Sequence, residues 1–216
     1  MVITERDKRV LAFHEAGHAI VAKMLPDSDP IHKITIIPRG RALGQTQQLP
    51  INDRQAYSRQ YLKNRITTLM GGRAAEELVF GMQTTGGQSD IQQATELATN
   101  MVCRWGMSEH LGPQVYVIDD GDFLGASSQR LAMGARTATQ IDKEIRNLLE
   151  SCYNEAVSIL GNERLFLSVL ADILMKVETI DGEEFDIIFS CSLKKKREFH
   201  MDEDPPEACE TQNYAS

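Results

Sequence analysis

A chain of 216 residues that is 42% hydrophobic and 25% charged, with few aromatics, suffices for one compact domain with a substantial core. Its formal net charge of −8 excludes a nucleic-acid binder, because phosphate recognition rests on basic patches. Cys103, Cys152, Cys191 and Cys209 lack paired spacing, and neither a signal peptide nor a run of about 18 apolar residues is present, so a soluble chain in the cytoplasm or another reducing compartment is expected.

The first predicted element is a helix over residues 4–25. Val10, Leu11, His14, His18, Val21, Ala22 and Leu25 recur at helical spacing, Thr4 with Asp7 resembles a capping box, and Pro26 is a stop. On its apolar stripe stands His14-Glu15-Ala16-Gly17-His18. Residues four apart lie one above the other on a helix, so both imidazoles reach one metal ion while Glu15 projects toward a water bound there, the chemistry of a zinc peptidase. The plainer alternative, two core histidines satisfied by hydrogen bonds, leaves the glutamate between them unexplained. Gly17 costs about 1 kcal/mol of helix propensity relative to Ala, which implies that something approaches the backbone there.

A small β element follows near residues 31–49, from Ile34, Ile36 and Ile37 and a strand after Gly44. Helices are predicted at 52–70, 72–80, 89–104, 128–160 and 162–176, with Gly71 and Gly81 as C-terminal stops. The expected fold is therefore mainly α, with its small β element near the N-terminal third. From about residue 192 the chain turns polar, Lys194-Lys195-Lys196-Arg197 preceding an acidic run from Asp202 to Glu207. This reads as a disordered tail, residues 192–216, after a folded unit of residues 1–191.

Catalytic zinc takes three protein ligands, so two histidines leave one to be found. A metzincin continuation is excluded by Val21 and Met24, and no glutamate occurs between His18 and Glu76. The candidates are Glu76, Glu77 and Asp90. Asp90 is the better placed: with Ser89 as cap it falls in the first turn of the helix carrying Ile91, Ala94, Leu97, Ala98 and Met101, beside a glycine-rich loop. Its ordinary alternative is to stabilise the helix dipole. His32 and His110 lie outside any catalytic pattern and are assigned no role.

Several segments then carry a resemblance in order along about residues 5 to 190. They are Arg6 to Met24 with its His-Glu-Ala-Gly-His, Ile36 to Gly44, Met70-Gly71-Gly72-Arg73-Ala74-Ala75-Glu76-Glu77, Thr84-Thr85-Gly86-Gly87, Trp105-Gly106-Met107-Ser108, Leu111-Gly112-Pro113 and Asp181-Gly182-Glu183-Glu184-Phe185. Together they resemble the peptidase domain of FtsH-type AAA zinc metalloproteases. The resemblance implies one zinc ion per chain held by His14, His18 and Asp90, Glu15 as general base, and Glu76 as an acid near the metal that fixes an imidazole rather than a ligand. It also implies that Gly44, Gln45, Thr46 and Gln47 form an edge strand holding extended substrate by backbone pairing. The function expected is a zinc endopeptidase acting on unfolded or extended polypeptides.

Members of that family carry an AAA ATPase module, are membrane anchored and form hexamers. Here no G-x-x-x-x-G-K-[ST] loop occurs, so ATP is not expected to bind this chain, and unfolding power must come from a module in cis or in trans. A homo-oligomer, hexameric by resemblance, is expected, with membrane association if the chain is a fragment of such a protease. The competing reading is a non-catalytic assembly or regulatory module with an impaired metal site.

Overall fold

The computed structural model describes residues 4–38, 44–49, 56–120, 127–130 and 134–201. Helix α1 (Glu5–Met24) runs through the centre. Thr4 opens it in the extended conformation, accepting the Asp7 N–H at 3.2 Å while its hydroxyl donates to Asp7 Oδ2 at 2.7 Å. From Ala12 to Ala22 every residue of α1 is buried, so this helix is wrapped by its neighbours on all sides rather than along one stripe.

The first neighbour is α2 (Arg59–Phe80), capped by the Ser58 hydroxyl, which accepts the Tyr61 N–H. Residues 52–70 and 72–80 were expected as two helices divided at Gly71. They are one helix from Arg59, and residues 52–55 lie outside the described residues. Gly81 does end it, in the left-handed conformation at φ 63°. Gly71 has a different task. A β-carbon on Gly17 would stand 2.5 Å from the Gly71 carbonyl oxygen, and one on Gly71 2.8 Å from that of Gly17. The two backbones touch where α1 crosses α2, so both glycines serve close approach, which for Gly17 is what its position in the motif implied.

α3 (Gln88–Cys103) packs on α2 and on the long α4 (Ala135–Asn162), and α5 (Arg164–Val177) packs on α1. The helix expected from residue 128 starts at Ala135, because residues 127–130 form strand β4, paired with β3 (Val117–Asp120) in an antiparallel hairpin. Helix α6 (Gly182–Met201) follows, its Phe185 fully buried beside Phe166 and Phe189. Residues 202–216 lie outside the described residues, the acidic run with them.

The main sheet has strand order β2-β1-β5, all antiparallel. β1 (Ile31–Thr35) and β2 (Gln45–Gln48) are the expected β element, shortened: β1 ends before Ile36 and Ile37, although the Ile36 N–H still reaches the Glu178 carbonyl at 3.0 Å. The third strand, β5 (Thr179–Asp181), comes from far along the chain, so the sheet is not confined to the N-terminal third. Among the described residues β2 pairs on one side only, and its residues line a cleft together with His14, Glu15, His18 and Asp90. Among the described residues no helix is long and apolar enough to cross a membrane.

The glycine crossing gives a direct test. Gly17→Ala raises helix propensity, yet its β-carbon meets backbone. Stability should fall by about 1–3 kcal/mol, measured by denaturant titration; a stability equal to the parent's would show that the helices do not meet at these glycines.

Candidate metal centre

His14 and His18 lie one turn apart on α1, and with Glu15 they are buried. Both rings point the same nitrogen inward. His14 Nε2 and His18 Nε2 are 3.0 Å apart, and Asp90 Oδ2, from the first turn of α3, lies 3.2 Å from the first and 3.3 Å from the second. A tetrahedral zinc about 2.0–2.1 Å from each donor requires donor–donor edges of about 3.3–3.4 Å. The triangle has nearly those edges, so two imidazoles and one carboxylate fit a single zinc ion.

The outward nitrogens are held by α2. His18 Nδ1 donates to the Thr68 carbonyl at 2.8 Å, which leaves Nε2 as the lone-pair nitrogen of the neutral ring. His14 Nδ1 lies 2.7 Å from Glu76 Oε1. Glu76 is itself fixed, accepting the Thr84 N–H at 2.7 Å on Oε2 and the Thr84 hydroxyl at 3.2 Å on Oε1. Gly72 lies between, its bare α-carbon against His14: a β-carbon there would fall 2.4 Å from the ring.

The electrostatics favour positive charge. Burial disfavours a charged His14, but its hydrogen bonds to Asp90 and Glu76 and the nearby Glu15 outweigh this and push it up to about 10. Burial alone would raise Asp90, yet hydrogen bonds with both histidines hold it well below the usual carboxylate range. Glu76 is likewise held down against burial by His14 and the Thr84 N–H. Glu15 differs: burial raises it, and the histidines and Thr46 offset only part of that. Three buried or half-buried carboxylates around two imidazoles make an enclosure that favours a divalent cation.

The structure thus brings together His14, Glu15, His18, Glu76 and Asp90. Ser89 does not cap α3. A short 3₁₀ turn, Thr85–Gly87, capped by the Thr84 side chain, leads straight into the helix, and Gly87 stands at the cap position. Glu77, the other candidate ligand, points away from the centre and accepts the Tyr153 hydroxyl at 2.5 Å and Gln83 Nε2 at 2.7 Å. His32 is exposed on β1, and His110 is exposed beside Glu144 at 3.2 Å. The Thr68 carbonyl was invisible to sequence reasoning, since any residue supplies one. Gly44 and Thr46 of the expected substrate strand lie against Glu15.

A buried H-E-x-x-H helix with a carboxylate ligand from a distant helix defines a zinc metallopeptidase centre. Comparison with known proteins gives the particular group: the model of peptidase family M41 matches residues 1–188, and the chain belongs to that family. It is 49% identical over 187 residues to the ATP-dependent zinc metalloprotease FtsH of Thermobaculum terrenum, covering 85% of this chain and 29% of the relative. Against FtsH 4 of Sorangium cellulosum it is 50% identical over 192 residues, 87% and 30% of the two chains. The FtsH of Thermotoga maritima is 44% identical over 197 residues, 90% and 32%. The chain therefore spans about three tenths of the length of these relatives.

Asp90→Ala removes the member of the His14, His18 and Asp90 triangle that does not lie on α1. Zinc per chain in the purified variant, read by atomic absorption against a parent near one, should fall to a small fraction; full occupancy would exclude Asp90 as a ligand.

Proposed function

We propose that this chain is a zinc-dependent endopeptidase that hydrolyses extended or unfolded polypeptides. The observation that carries the reading is the convergence of His14, His18 and Asp90 on one point, with the Glu15 carboxylate buried beside it at the foot of a cleft. His14, His18 and Asp90 would hold a zinc ion, whose chemistry would be to lower the pKa of a water from about 15.7 to about 7 and to polarise the scissile carbonyl.

The chain's own residues do the rest. Glu15, whose affinity for a proton is raised by burial, accepts one from the attacking water and passes it to the leaving amine nitrogen. Glu76 and the Thr68 carbonyl hold the two imidazoles in register by accepting from Nδ1. The edge of β2, Gln45–Gln48, that is unpaired among the described residues belongs to a strand lining the cleft beside Glu15 and suits an extended peptide added as a further strand, which selects unfolded segments over compact ones. Gly44 to Gln47 are the residues assigned to this docking.

The relatives' names describe ATP-dependent proteases, and the reading extends accordingly. An AAA module, in cis or in trans, supplies unfolding; the working form is a homo-oligomer, taken as a hexamer, associated with a membrane through parts other than this chain. The division into a peptidase unit, residues 1–191, and a polar tail, residues 192–216, belongs to the same proposal, with the α6 backbone continuing across that boundary to Met201.

Glu15→Gln is the decisive variant. It should keep zinc near one per chain while kcat on an unfolded reporter falls by about a hundredfold to ten-thousandfold; an active variant would remove Glu15 from the mechanism. Glu76→Gln should retain the fold and weaken zinc binding by about ten- to a hundredfold, measured by competition with a chelating dye. Unchanged affinity would make Glu76 a bystander.

A further inference from the structure

We propose that Thr46 is the positioning residue for Glu15, so that the strand on which peptide docks also aims the general base. This rests on the peptidase reading above. Thr46 is the second residue of β2 and pairs with Ile34 in the sheet. Its hydroxyl crosses to α1, with Oγ1 2.7 Å from Glu15 Oε2 and 3.1 Å from the Glu15 carbonyl oxygen. A hydroxyl carries one proton, and the shorter contact to the carboxylate is the charge-assisted bond.

The need for such a bond follows from the glutamate side chain. Its terminal torsion is broad and two-fold, without the staggered wells that fix an aliphatic chain. A carboxylate's facing is therefore set by its partners. Glu15 is only 4% exposed, and among the described residues no other hydrogen bond reaches its carboxylate. The second oxygen is constrained by shape. Oε1 lies over the bare α-carbon of Gly44, where a β-carbon would come within 2.6 Å. Thr46 holds one oxygen and Gly44, the residue just before β2, makes room for the other. A peptide paired along the free edge of β2 steadies that strand, and with it the plane of the carboxylate that takes the proton.

Thr46 also has an ordinary structural merit, since β-branched residues suit strands. The variants separate the two roles. Thr46→Val keeps branching and nearly the volume but cannot donate; Thr46→Ser donates but is unbranched. The parent, both variants, Gly44→Ala and Glu15→Gln are compared for zinc content, kcat and KM on one unfolded peptide reporter. Thr46→Val should keep zinc near one per chain and KM within about twofold of the parent, with kcat lower by about ten- to a hundredfold. Thr46→Ser should recover most of that loss, and Gly44→Ala should lower kcat with zinc retained.

A Thr46→Val variant with kcat within about twofold of the parent overturns the proposal, as does an equal loss in the valine and serine variants or a loss confined to KM. If Thr46→Val does not fold, Gly44→Ala carries the test, and an unchanged kcat there refutes the idea that β2 aims the carboxylate. A zinc-loaded parent that leaves the reporter uncut overturns the peptidase reading itself, and is seen before any variant is compared.

Discussion

The contact of two glycine backbones, Gly17 on α1 and Gly71 on α2, is the constraint from which the rest of the site follows. Helices that met through ordinary side chains would stand farther apart, about 8–10 Å between axes. At the closer approach α2 brings one face against the histidines. Thr68, Gly72 and Glu76 recur every four residues along it, so they form one row. Thr68 offers its carbonyl to His18, Gly72 lies flat under His14, and Glu76 takes the His14 nitrogen. Each imidazole is oriented by the helix that the glycines admit.

That arrangement concentrates charge in a buried place, which is costly unless the charges are paired. Here the pairing is layered. Glu76 is neutralised by the His14 ring and satisfied by Thr84, and Asp90 by both imidazoles. Among the described residues Glu15 has only the Thr46 hydroxyl as a hydrogen-bond partner for its carboxylate, and its pKa shifts in the opposite direction from those of the other two carboxylates. The separation sorts the three acids by environment: the imidazoles favour the charged form of Glu76 and Asp90, while burial favours the protonated form of Glu15.

What sequence made legible was the chemistry with local spacing. His14 and His18 four apart, Glu15 between them, Gly17 where a helix would prefer alanine, and Asp90 in a first turn were all readable, because each is a pattern within a few residues. The misreadings share a cause. Gly71 and Gly81 give the same local signal; one admits a neighbouring helix and the other ends its own, and only the partner's position distinguishes them. Ser89 looked like a cap because the preceding 3₁₀ turn leaves no sequence period. Strand β5 has three residues, too few to alternate, and β4 lay under a helix predicted from residue 128 whose observed start is Ala135. The Thr46 contact with Glu15 joins residues 31 positions apart, and nothing in either neighbourhood announces it.

The sheet order β2-β1-β5 gives the cleft a long memory of the chain. The strand beside Glu15 is flanked by β1, and β1 in turn by residues 179–181; α1, which bears both histidines, is covered on one side by α5. Helix α1 (Glu5–Met24), with the metal-binding motif, is made well before α5 (Arg164–Val177) and β5 (Thr179–Asp181), which close its surroundings. Loop closure over such separations costs entropy before any contact returns it. The helix bearing His14 and His18 therefore has no finished enclosure until those later elements have folded onto it.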